Sequence, residues 1–164
     1  MYSDGLMVLG AELSATQVEA SAADIKDYVM PYPGQIEGMG LYITENFSAH
    51  NTTDPIVKLQ SKTSLGGSAT DLVAVTLGSS ASLKKGDGSK VAQTAITADA
   101  DLLNGHVVFA KQSAFPIKIA AGQIITLRHA TAADGAGGAY IPVVLFRVAG
   151  EDMAAATSWL DTAA

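Results

Sequence analysis

Tyr140-Ile141-Pro142-Val143-Val144-Leu145-Phe146-Arg147-Val148 is apolar on both of its alternating sets. Successive side chains of an extended chain point to opposite faces. Val144, Phe146 and Val148 therefore share one face, and Ile141, Val143 and Leu145 share the other. A sandwich strand ordinarily needs only one dry face. Burying each side chain of this kind is worth roughly 1.5–3 kcal/mol, so the second set predicts a cover, either the chain's own residues 11–34 or another subunit. Ile141, Val143 and Leu145 are on this ground candidate protein-interface residues. Pro142, with no N–H to give a ladder, predicts an edge position or a bulge.

Working outward, shorter strands recur between Gly and Pro punctuation. Leu41–Phe47 places Leu41, Ile43 and Phe47 on one side, and Ile56–Ser61 turns Val57 and Leu59 inward. Leu72–Leu77 is a valine-rich run too short for a helix, set off by the Gly66-Gly67 turn. Val107–Lys111, Pro116–Ala120 and Gln123–His129 follow, and Gly135–Gly138 forms a loop tip before the last strand. Residues 5–10 read as a short buried strand. Residues 11–34 are Ala/Ser/Thr-rich, end in Met30-Pro31-Tyr32-Pro33-Gly34, and read as an extended arm. Within 78–105, Lys85-Gly86-Asp87-Gly88 marks a turn and Val91–Ile96 a weak strand. After Gly150 the Ala-rich stretch Glu151–Ala164, opened by acids, reads as a helical tail, with Trp159 and Leu160 near its end. About eight short strands without helical patterns between them predict an all-β jelly roll or β-sandwich, arranged as one domain.

Bulk composition bounds the function. Hydrophobic residues make up 48% of the 164 and charged residues only 16%. The surface is thus expected to be Ser, Thr, Gly and Ala, suited to packing against neighbours. A net charge of −6 with scattered Lys and Arg argues against nucleic-acid binding. Cysteine is absent, which excludes disulfides and thiolate metal sites. No apolar stretch is long enough to span a membrane. Met1-Tyr2-Ser3-Asp4 carries an acid where a signal peptide would be basic, which predicts synthesis in a cytoplasm without export by that route.

Catalytic chemistry finds no foothold. His50, His106 and His129 form none of the paired spacings of a metal-binding jelly roll and are expected at the surface or rim. Starting from Asp99, a calcium loop would need ligands where Leu103 and Ala110 stand. Gly86–Lys90 fails the phosphate-loop pattern, and no nucleophile elbow occurs. The expectation is a non-enzyme with no catalytic residue, metal or cofactor.

The layout resembles the jelly-roll capsid cement (decoration) proteins of tailed bacteriophages, and is similar to the type known from a Bordetella phage. The likeness runs through Met1-Tyr2-Ser3-Asp4 and the short strand after it, and the Ser/Ala/Thr stretch 14–24 ending in Asp24-Ile25. It continues in the alternating strand Ile56–Ser64, and in Gln123–Arg128 and Val143–Leu145 joined by the Gly-rich loop 134–139. Tyr28–Gly34 and Glu151–Ala164 depart from the pattern. The resemblance implies a homotrimer on the outer capsid surface of a virion assembled in a bacterial host, clamping junctions of the major capsid protein. Trp159 and Leu160 join the candidate interface residues, tryptophan being a favoured interface anchor. A tail- or fibre-associated subunit and a small carbohydrate-binding sandwich are the alternatives.

Overall fold

The computed structural model describes residues 5–45, 55–77, 107–110, 114–133 and 137–149. Ten strands occur among them, in two antiparallel sheets that form an all-β sandwich. The six-stranded sheet contains β1 (Leu6–Leu9), β2 (Thr16–Gln17), β4 (Gly34–Glu45), β7 (Val107–Phe109), β8 (Ile117–Ile119) and β10 (Ala139–Val148). The four-stranded sheet contains β3 (Ala23–Val29), β5 (Ile56–Lys62), β6 (Thr70–Thr76) and β9 (Ile124–Thr131), in the order β3-β9-β5-β6.

Period-two alternation decides which side chains meet in the middle. Ile36, Met39, Leu41 and Ile43 of β4, with Tyr140, Val144 and Phe146 of β10, face Val57 and Leu59 of β5, Val73 and Val75 of β6, and Ile125 and Leu127 of β9. These pack as one core. The expected inward positions Leu41, Ile43, Val57, Leu59, Val144 and Phe146 are all buried. Val148 packs on the same cluster from its margin.

Pro142 sits neither at an edge of the sheet nor at one of its register shifts. β10 lies inside, paired with β4 along its length and with β1 and β2 on its other side. On that second side, however, β1 ends at the pair Leu9–Val144 and β2 resumes at Thr16–Tyr140. Pro142 falls opposite the interruption, where no partner strand asks it for an N–H. Gly10 opens this gap in the left-handed region at φ 95°, and a Cβ there would land on the Pro142 carbonyl.

The arm expected over residues 11–34 is instead built into the sandwich. Ala23–Val29 pairs with β9, Thr16–Gln17 with β10, and Val18 and Met30 are buried in the core. Such a segment does not cover the second face of β10. The strand over residues 5–10 exists, but Met7 and Val8 stand exposed because β1 is an edge strand. The turn at 85–88, the strand at 91–96, the tail 151–164, Phe47, His50 and His106 lie outside the described residues.

Candidate interface: the outer face of the six-stranded sheet

Register places the second apolar set of β10 beside residues remote in sequence. Leu145 pairs with Val8 of β1 on one side and Gly38 of β4 on the other. Val143 pairs with Gly40, which pairs in turn with Phe109 of β7. Ile141 pairs with Tyr42, and Tyr42 with Val107. Paired residues share a face, so three successive rows of the outer face carry apolar side chains.

These rows are open to water. Ile141, Val143 and Leu145 are half-buried by their neighbours on the sheet. At the margins, Val8 is 51% exposed, Phe109 45%, Tyr42 39% and Val107 37%. The two glycines flatten the middle. A Cβ at Gly40 would press on Val107 and Phe109, at 3.2 and 3.3 Å, so those side chains lean over the bare backbone. A Cβ at Gly38 would meet only Leu145, at 3.8 Å, which leaves a shallow depression beside Leu145.

Polar residues close the face at one end. Between Leu145 and Phe146 the β4–β10 register slips, and Glu37 is the extra residue. Its carboxylate accepts from Gln35 Nε2 at 2.7 Å and from Arg147 Nε at 3.0 Å. Those two donors hold its pKa below the ordinary glutamate range. Lys118 lies beside Gln35 on β8.

The outer face of the four-stranded sheet is built from the opposite material. Asp24 of β3, Arg128 of β9 and Lys58 of β5 stand in one row. Asp24 is bound by Arg128 and by Lys62 Nζ at 2.7 Å, and these two cations lower its pKa. Asp71 accepts from Gln60 at 2.6 Å and pairs with Lys58 at 2.6 Å, which lowers its pKa likewise. Thr126 donates to Asp27 at 2.6 Å. The pair with Asp24 raises the Lys62 pKa against the opposing effect of its burial.

His129 is neither at the surface nor at the rim. It continues the inward series Ile125, Leu127, His129, and its Nδ1 meets the Tyr140 hydroxyl at 2.5 Å across the gap between sheets. Burial lowers its pKa, partly offset by the backbone of Ala20 and Val18, and raises that of Tyr140. With His129 1% and Tyr140 0% exposed, no dissolved molecule can touch the pair. Among the described residues no cluster of three or more His, Asp or Glu has the geometry to hold a metal ion.

The structure therefore brings Ile141, Val143 and Leu145 together on one accessible face, while Trp159 and Leu160 lie outside the described residues. Sequence reasoning missed Val8, Tyr42, Val107 and Phe109 as parts of that face. Each alternates correctly within its own strand, but their convergence depends on pairing between distant strands. Comparison with family models, with curated proteins and with solved structures finds no match to this chain.

Proposed function

We propose that the chain is a structural subunit of a virus particle: a capsid cement protein that binds the outside of the major capsid protein shell and stabilises junctions between capsomers. One observation carries the reading. An all-β sandwich, sparing in charge, leaves one sheet face apolar across four strands while the other outer face carries its own ion pairs. Contiguous exposed apolar surface of this kind marks a place where another macromolecule sits. The likeness in strand order and spacing to phage cement proteins supplies the kind of macromolecule. Cementing needs no chemistry: each contact made only in the assembled shell favours assembly by mass action, and a homotrimer multiplies such contacts through effective concentration.

Immunogold labelling of particles produced by the genome that encodes the chain tests the proposal. Label on capsid faces is the expected result, weakened by Val8→Asp together with Phe109→Ser. Particles that never carry the protein sink the reading, and label confined to tails replaces it with a tail-associated role. Sedimentation of the purified protein at about three times 16.8 kDa is the expected trimer mass.

Tyr42 and Phe109 favour a second reading. Two exposed aromatic rings on one flat face resemble a sugar-stacking platform. Their neighbours Ile141, Val143 and Val107 are aliphatic and offer a glycan's hydroxyls nothing to bond, so this reading ranks second. A saturable hit on a glycan array, abolished by Tyr42→Ala, would promote it.

A further inference from the structure

An edge strand turns half of its backbone hydrogen-bonding groups toward whatever lies beyond the sheet. Folded proteins ordinarily blunt such an edge with charge, proline, a bulge or brevity. Among the described residues the edges divide on that count. β3 carries Asp24, Lys26 and Asp27 and bulges at Ile25. β6 carries Asp71 and bulges at Leu72. β7 and β8 are three residues each. β1, Leu6-Met7-Val8-Leu9, has no charge, no proline and an unbroken register against β10, and its Met7 and Val8 stand 42% and 51% exposed.

Register fixes which of its groups are free. The Val148 N–H donates to the Gly5 carbonyl, which makes Gly5 and Val148 a hydrogen-bonded pair. Such pairs alternate along an antiparallel ladder. Gly5, Met7 and Leu9 therefore bond to β10, while the N–H and C=O of Leu6 and Val8 point away from it. Those groups have no partner among the described residues. Beyond Leu9 the chain leaves this edge: it turns at Gly10 and is tied toward the other sheet, where Tyr28 donates to Glu12 Oε1 at 2.6 Å.

We propose that β1 pairs antiparallel with β1 of a second copy of the chain, across a two-fold axis through Met7. The strand is its own complement. Leu6 meets the partner's Val8 and Val8 the partner's Leu6, two bonds in each pair, which uses every free group on both edges. Met7 then faces the partner's Met7, and the exposed parts of Met7 and Val8 are covered. A two-fold sets a strand against its own sequence, so a charge near the axis would meet its like; β1 has none. Val8 also belongs to the Leu145 row, so the pairing joins the apolar outer faces of two sheets into one surface. So short a contact buries far less than the roughly 800 Å² per partner of a stable complex, and is expected to be weak and dependent on concentration.

This inference does not rest on the cement reading. A trimer held through another surface would be joined to a second trimer by β1, because a two-fold links subunits two at a time.

The chain contains no cysteine, so single thiols can be placed in the full protein without background. Directly opposed residues of a non-hydrogen-bonded pair have Cα atoms about 4.5 Å apart, within reach of a disulfide. Met7→Cys should therefore cross-link into dimers under mild oxidation. Val8, although more exposed, is displaced by two residue steps from its own copy, about 8 Å away and beyond the roughly 7 Å that a disulfide bridges. Val8→Cys should cross-link several-fold more slowly, and Val29→Cys, on the exposed β3 edge, should be as slow. Val8→Pro added to Met7→Cys removes an outward N–H that β10 does not use and should bring the rate down to that of these controls. Circular dichroism and the thermal melt establish that each variant folds. Cross-linking of Met7→Cys no faster than the controls overturns the proposal. Equal rates for Met7→Cys and Val8→Cys also overturn it, since they indicate collision without register, and so does cross-linking that survives Val8→Pro. All of this is read in the purified protein, whether or not particles carry the chain, so the two ideas fail separately.

Discussion

The two outer faces of this sandwich answer the same physical problem in opposite ways. On the four-stranded sheet the charged outward residues are partnered from within, although Val29 at the edge stands 58% exposed. Asp24 holds Arg128 and Lys62, Asp71 holds Lys58 and Gln60, and Thr126 holds Asp27. On the six-stranded sheet the rows Val8–Leu145, Val143–Phe109 and Ile141–Tyr42–Val107 are completed by nothing among the described residues. A face that satisfies its own hydrogen bonds and charges has little to gain from a partner. An apolar face gains from any complementary surface that removes it from water. The contrast leaves one side of the molecule with its charges paired internally and the other with apolar surface still open to water.

The largest effect should come from comparing the two sides of a single strand. Phe146→Ala empties a fully buried site and should cost about 3–5 kcal/mol, while Leu145→Ala, one residue away on the outer face, should cost no more than about 1 kcal/mol. Urea denaturation of both variants checks this. Equal costs would mean that the outer face is already packed as a core.

Acid should act next, through the core and the ionic face together. Buried His129 has a lowered pKa, so the folded state resists protonation while the unfolded chain takes up a proton below about pH 6.5. Its contribution is whole above that pH and declines as pH falls toward the depressed folded value. Asp24 and Asp71, also lowered, add a second decline once pH drops into the unfolded aspartate range near about 3.9. His129→Gln retains a hydrogen-bonding partner for Tyr140 and cannot titrate. Denaturation midpoints across pH 4–7 should be flatter in that variant, and an unchanged slope would remove His129 from the account.

Breaking the ionic face should matter less. Asp24→Asn weakens the hold on both Lys62 and Arg128 and should cost about 1 kcal/mol at low salt and less at 1 M salt, where screening has already weakened the pairs. Association through the apolar face should respond in the other direction, strengthening in sulfate. Light scattering and thermal melts along one salt series would separate the two faces; a common direction would collapse the distinction.

The smallest effect is the most specific. Gly38→Ala introduces a methyl that meets nothing closer than Leu145 at 3.8 Å, so the fold should accept it, with stability unchanged or raised by up to about 1 kcal/mol. The same methyl narrows the depression on the outer face. Binding that weakens while the thermal melt holds would locate contact at that row.

Much of this was legible in the sequence. The double alternation of Ile141–Val148 marked both the inward set and the outward one, and Val57, Leu59, Leu41 and Ile43 fell on the side their spacing predicted. β3 was not legible, for two reasons. A register shift between Asp24 and Lys26 breaks its alternation, and its outward carboxylates make sense only beside Lys62 and Arg128, 38 and 104 residues further on. His129 carried a readable signal, since it stands in phase with the buried Ile125 and Leu127. A histidine's polarity simply outweighed the period. The full width of the apolar face was hidden for a different reason: Val8, Tyr42 and Phe109 come from three strands, and only pairing reveals that they are neighbours.

The antiparallel pairing of Leu6 with Arg147 brings Gly5 and Val148 to one corner, joined by the Val148 N–H and the Gly5 carbonyl at 3.0 Å. Tension applied through these two points would peel β1 from β10 one hydrogen bond after another, as a zipper opens. Compression across the sheets would instead meet the whole close-packed interior at once. Force applied at Gly5 and Val148 is therefore expected to meet less resistance than force applied between the two faces.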